Sequence, residues 1–199
     1  MLYAPSDFTD ETNFMHLFKE KGFIEKEKDI HAEIEQIIKD SEEGQTNDEK
    51  RKNTPLDIHA RYLLAEQMVF SIIESRYGGS VLMHPILDSQ KESKFAIDGL
   101  IEFNNELIGI EIKFVSLKTN IQRRLREAIL QVQDFFNSLP DKIKQNHSIK
   151  AIIAIVTETK AEQQNIQKTI SNIKNTDINF DIEIEFFNIE ENADPNKRV

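Results

Sequence analysis

The chain has 199 residues, with no cysteine, 39% hydrophobic and 30% charged side chains; this allows one domain with a sizeable core and excludes disulfides, thiolate metal sites and cysteine nucleophiles. Its net charge of −10 argues against a protein that coats nucleic acid through bulk electrostatics, although a local basic patch or a bound divalent cation can draw phosphate to an acidic body. No apolar run approaches the ~20 residues needed to cross a bilayer, and the opening stretch MLYAPSDFTDETNF lacks the basic start and apolar run of a secretory signal, so a cytoplasmic protein with no membrane partner is expected.

There is no internal repeat. Residues 11–43 predict a helical segment, with Phe14, Leu17, Phe23, Ile30, Ile34 and Ile37 among many charges and imperfect spacing around Gly22. Residues 44–54 (GQTNDEKRKNT) predict a loop, which divides a helical N-terminal extension and linker (1–53) from a main domain (54–190) and a flexible tail (191–199). Thr54 as N-cap, Pro55 at the first helical position and Asp57 open a helix that runs through Ile58, Tyr62, Ala65, Val69 and Ile73 and stops near Tyr77, before Gly78-Gly79. Strands are expected at 80–87, at an edge or bulge because of Pro85, and at 95–103 and 106–115. An amphipathic helix covers 121–138, a nearly unbroken apolar strand 149–156, a polar helix about 159–174 and a last strand about 180–188. The fold class is therefore α/β (α+β), a mixed central sheet flanked by helices.

The chemistry is expected on the 95–115 hairpin. Alternation places Ile108, Ile110, Ile112 and Phe114 on one face of its second strand and Gly109, Glu111 and Lys113 on the other. On the first strand Phe95, Ile97, Ile101 and Phe103 share a face, and Asp98 lies opposite. If Asn104-Asn105 is a two-residue turn, Phe103 opposes Glu106, and five residues further along each strand Asp98 opposes Glu111. Their Cβ atoms would lie roughly 4.5–5.5 Å apart, which for like charges calls for a cation, a shared proton or water. A hard divalent cation with oxygen ligands answers that need, and Lys113 adds a positive charge beside the pair.

Ile97-Asp98 on one strand and Glu111-Ile112-Lys113 on the next resemble the PD-(D/E)XK nuclease superfamily, with its restriction-endonuclease-like fold. Residues 54–77, 121–138 and 149–156 take the places of the family's helix before the meander and of the helix and strand after it. The resemblance covers about 54–157 and departs from the family name in having Ile97 where the proline stands. It implies a Mg²⁺ site, with Mn²⁺ as a substitute, held by Asp98, Glu111 and the backbone carbonyl of Ile112. Lys113 would position or deprotonate the attacking water and stabilise charge on the phosphate. Glu66 on the first helix would complete the metal site, as an acidic residue there does in many members. Gln131, with Gln133 in reserve, matches a glutamine that some branches place near the active site.

Residues 113–126 hold Lys113, Lys118, Arg123, Arg124 and Arg126 and no acid, a local reversal of sign where a phosphate backbone should approach. DNA is the expected partner, with Lys118, Arg123, Arg124 and Arg126 as contacts. The five histidines show no helical metal-ligand spacing and read as structural or surface residues. The expected activity is that of a Mg²⁺-dependent deoxyribonuclease, an endonuclease of restriction, phage defence or repair. The alternative is a nuclease-fold module without catalysis that binds protein or DNA as a regulator. Cutting both strands suits a homodimer, with 11–43 either its interface or a cap on its own subunit.

Overall fold

The computed structural model describes residues 18–20, 23–42, 55–87, 97–115, 120–170 and 180–192. The first half of these contains β1 (Phe18–Glu20), α1 (Phe23–Glu42), α2 (Pro55–Tyr77), β2 (Leu82–Met83), β3 (Pro85–Leu87), β4 (Gly99–Phe103) and β5 (Glu106–Phe114). The second half contains α3 (Ile121–Ser138), α4 (Asp141–Asn146), β6 (Ser148–Thr157), α5 (Lys160–Ile170), β7 (Asp181–Asn188) and α6 (Ile189–Asn192).

The most apolar stretches form the centre of a mixed five-stranded sheet, in the order β2-β4-β5-β6-β7. The β2–β4 and β4–β5 pairs are antiparallel, and β5–β6 and β6–β7 are parallel. Each parallel pair needs a crossover, and α3 and α5 supply the two. Helices cover both faces, which is why β5 and β6 are apolar on both sides. Residues Ile108, Ile110, Ile112 and Phe114 of β5 pack with Ile58, Tyr62, Ala65, Val69 and Ile73 of α2, and Ile30 and Ile34 bring α1 onto the same cluster. On the other face Leu107 meets Val132, Phe135 and Phe136 of α3, while Ile153 and Ile155 of β6 meet Leu125, Ala128 and Ile129.

The β4–β5 turn is two residues long, and Asn104 and Asn105 take positive φ values of 50° and 62°, as a primed hairpin turn requires. Phe103 pairs with Glu106, and the same register continues to Gly99 opposite Ile110. It goes no further. The Asp98 N–H donates to the Ile110 carbonyl at 3.0 Å, not to Glu111, and Ile97 turns to the α3 face beside Leu100 while Ile101 lies on the α2 face. Thus Asp98 is not a directly opposed partner of Glu111, and Ile97 does not share a face with Ile101. The irregularity after Gly99 breaks the alternation.

Other expectations change as well. Within 11–43, residues 18–20 are a strand paired antiparallel with β3, and the helix occupies 23–42; residues 11–17 and Gly22 lie outside those described. The 80–87 strand is split at His84, because its φ of +45° ends β2 and lets Pro85 start β3 at an edge. Residues 191 and 192 belong to α6, and the rest of the expected tail lies outside the described residues, as do Thr54, Phe95, Lys118 and the 44–54 loop. The helices at 55–77 and 121–138 match their expected bounds.

Gly99 ends the ladder in a tight place. A Cβ there would lie 2.7 Å from Val81 Cγ1 and 2.8 Å from Phe70 Cε1, atoms of two packed, stiff side chains. Gly99→Ala is therefore expected to cost about 1–3 kcal/mol through overpacking and to displace Asp98, the adjacent residue. A chemical denaturation midpoint equal to that of the parent would disprove this.

Candidate metal centre

Because β4 pairs no further than Gly99, residues 111–114 of β5 have no ladder partner on that side among the described residues. The resulting notch at the sheet edge lets side chains from both faces meet. Asp98 closes one side of it: its Oδ2 accepts from the Ile112 N–H at 2.7 Å, and its carbonyl accepts from the His84 N–H at 2.7 Å. Extended backbone points a residue's N–H and C=O the same way, so the Ile112 carbonyl shares the side on which its N–H meets Asp98. From α2 comes Glu66, buried at 4% exposure. Its Oε1 lies 2.6 Å from His84 Nε2, and Lys26 Nζ approaches Oε2 at 3.7 Å. His84 Nδ1 is 4.0 Å from Asp98 Oδ1.

Glu66, His84 and Asp98 bring one ligand atom each to within 4.8 Å of one another. Two carboxylates and an imidazole suit a divalent cation; the carboxylates suit Mg²⁺, and the imidazole widens the choice to transition metals. Glu111 and Lys113 adjoin this group on the α3 face of β5. Lys113 Nζ is 2.8 Å from Glu111 Oε1, and the other buried Glu111 oxygen has no hydrogen-bond partner among the described residues. A buried carboxylate with spare lone pairs is what a cation or its bound water would satisfy. Lys113 also donates to Gln131 Oε1 at 3.3 Å from α3.

The electrostatics follow from this crowding. Burial, and then the Asp98 charge, push the Glu111 carboxyl up to about 8 against the pull of Lys113. Burial likewise raises Asp98, although Lys113, His84 and the Ile112 N–H oppose it. Burial works against the Lys113 ammonium, yet Glu111, Glu33 and Asp98 outweigh it and hold its pKa above the usual lysine range. Lys113 is thus a fixed cation here and not a ready base. Tyr62, buried beneath the same carboxylates, is raised well above the usual phenol range, first by burial and then by Asp98.

A cavity of about 410 Å³ opens on this cluster, and Asp98, Glu111, Lys113, Arg124 and Gln131 all line it. The structure therefore brings together most residues singled out in the sequence, and of the two glutamines Gln131 is the one that touches Lys113. Arg124 is buried, not presented to solvent: its guanidinium is held by Glu33 of α1, with Nη1 donating to Oε2 at 3.3 Å and Nη2 to Oε1. Arg123 and Arg126 are exposed on α3 outside the cavity, and Arg123 faces Glu127 at 3.6 Å.

Two participants escaped the sequence reading. His84, expected to be structural or superficial, is a member of the metal-ligating group; its signal was a polar residue directly before the strand-breaking Pro85. Its φ of +45° is uncommon for a side-chain-bearing residue and is disfavoured again by the following proline, so the surrounding contacts hold a strained backbone at this point. Glu33 gave no local signal, because its role depends on where α1 docks.

No helix among the described residues is long and apolar enough to cross a membrane. Comparison of the chain with protein-family models and with curated proteins gives no match.

Proposed function

We propose that this protein is a divalent-metal-dependent phosphodiesterase of the PD-(D/E)XK type that cuts DNA as an endonuclease. The observation that carries this reading is the convergence of Glu66, His84 and Asp98 within 4.8 Å of one another, beside the buried Glu111 and the Lys113 ammonium 2.8 Å from it. Glu66, Asp98 and Glu111 would hold the cation, with the Ile112 carbonyl or His84 completing the set. A bound Mg²⁺ or Mn²⁺ would lower the pKa of a coordinated water and polarise a phosphoryl oxygen. The residues then divide the work. Asp98 is oriented by the Ile112 N–H, which holds one oxygen while the other lies 4.0 Å from His84 Nδ1. The His84–Glu66 contact orders both side chains, as partners of metal ligands do. Lys113 remains protonated, so its part is to orient water or substrate and to offset charge developing on the phosphate. Gln131 keeps that ammonium aimed across the notch.

A cytoplasmic setting, a role in restriction, phage defence or repair, and a dimer for cutting both strands belong to the same proposal. A second reading, a regulator that keeps the fold without catalysis, draws support from α1, which covers the cavity with its own carboxylates.

Calorimetric titration with Mg²⁺ and Mn²⁺ at pH 7, in two buffers of different ionisation enthalpy, tests the metal site. Binding should release a proton, because a Glu111 carboxyl with a pKa of about 8 is mostly protonated at that pH and a ligating carboxylate is not. Plasmid DNA should be nicked or linearised with either cation, and EDTA should stop the reaction. Absence of both binding heat and cleavage would remove the reading.

A further inference from the structure

The cavity's charge is the wrong sign for its proposed substrate. Asp29, Glu33, Asp98, Glu111 and Glu127 line it against Lys113 and Arg124. The metal-site carboxylates have a use, whereas Asp29 and Glu33 come from α1, outside the stretch that carries the nuclease resemblance. One Glu33 carboxylate lies between both cations: Oε1 is 3.7 Å from Lys113 Nζ and bonds to Arg124 Nη2, while Oε2 accepts from Nη1 at 3.3 Å. This forked pairing is the geometry that carboxylate and phosphate share. The fit is incomplete, since the buried Arg124 Nε–H has no acceptor.

We infer that Lys113 and Arg124 form one phosphate subsite, that the Glu33 carboxylate occupies it as an internal substitute, and that α1 withdraws when a nucleic-acid phosphate enters. The inference rests on the proposed function for the identity of the incoming anion. α1 is suited to leaving: among its described side chains only Ile30 and Ile34 are buried, while Lys28, Asp29, His31, Ala32, Glu35 and Lys39 are exposed. Among the described side chains Ile30, Ile34 and the partly buried Ile38 make the apolar contact with the core, and a helix that docks through few side chains belongs to the less stable part of a fold. Its departure removes Asp29 and Glu33 from the lining and takes from both cations the carboxylate they share; with a divalent cation on the remaining acids, the lining then no longer repels phosphate.

The test is binding of a short fluorescein-labelled DNA duplex to the full chain in Ca²⁺, compared among the parent, Glu33→Gln and Ile34→Ser. Glu33→Gln removes the competing charge, and Ile34→Ser loosens α1 while keeping Glu33. Both should bind DNA about tenfold tighter or more, with a steeper salt dependence because extra cations meet phosphate. Inorganic phosphate should shift the Arg124 Nε–H resonance in Glu33→Gln and leave it unmoved in the parent. Circular dichroism certifies the fold of each variant. Unchanged or weaker DNA affinity in both folded variants overturns the inference, even if the parent cleaves DNA. Phosphate binding by Glu33→Gln with no cleavage by any form upholds the subsite and counts against the nuclease reading instead.

Discussion

Glu111→Gln is expected to stabilise the metal-free protein at pH 8 and to abolish its stabilisation by Mg²⁺. The Glu111 carboxyl has a pKa of about 8 in the folded protein, raised by burial and by Asp98, against roughly 4.3 when the chain is unfolded. As pH rises through this interval the unfolded chain releases its proton and the folded one keeps it, so stability falls progressively from about pH 4.5 and levels off above about pH 8. The loss amounts to a few kcal/mol. Glutamine has no charge to bury and escapes the loss, so a melting temperature higher by roughly 5 °C or more is expected at pH 8, shrinking towards zero at pH 5, where the parent carboxyl is protonated. In the parent, Mg²⁺ should recover the lost stability by binding the ionised form. A variant less stable than the parent at both pH values would show that Glu111 is not the strained group. A gain in stability that accompanies loss of a ligand is the usual relation between a fold and its working site.

The largest effect on activity is expected from Asp98→Asn and Lys113→Ala, each lowering the cleavage rate by at least about 10³-fold, but for different reasons that binding can separate. In Asp98→Asn the amide oxygen can still accept from the Ile112 N–H, so the notch should keep its shape while Mg²⁺ affinity falls. In Lys113→Ala the acids lose their nearest cation, so Mg²⁺ should bind as well as before or better while turnover is lost. Calorimetry and plasmid cleavage on the same preparations give both readouts. Wild-type cutting by both variants would place the activity elsewhere; loss of Mg²⁺ affinity in Lys113→Ala would assign lysine a structural role.

What the sequence made legible was local. The 55–77 and 121–138 helices follow from Pro55, the spacing of Ile58 to Ile73 and the stripe from Ile121 to Phe136, which are short-range patterns. The Asn104-Asn105 turn and the register from Phe103 to Gly99 follow from alternation and from asparagine's tolerance of positive φ. Proximity of Asp98 to Glu111 was legible, but its form was not. The ladder ends at Gly99, where Val81 and Phe70 leave no room for a Cβ, and those neighbours lie far away in sequence. His84 and Glu33 were hidden for the same reason, since one depends on a strained turn beside α2 and the other on the docking of α1. Arg124 was noticed as a cation at the site, but its burial under Glu33 is a property of two helices whose paired residues stand 91 positions apart.

The small sheet at the N-terminus gives the extension a second hold on the centre. Phe18, Lys19 and Glu20 pair with Leu87, Ile86 and Pro85, and Pro85 directly follows His84. Phe18 also reaches across to Phe135, with ring centroids 6.1 Å apart. α1 begins only three residues after that strand. The N-terminal segment is thus both a splint for the turn that presents His84 and a hinge arm ending over Lys113. A domain cut at residue 54 would lose both together, leaving the β3 edge unpaired beside the ligands and the cations uncovered. Order in the extension and order in the notch are one mechanical property, although composition alone divides the chain between them.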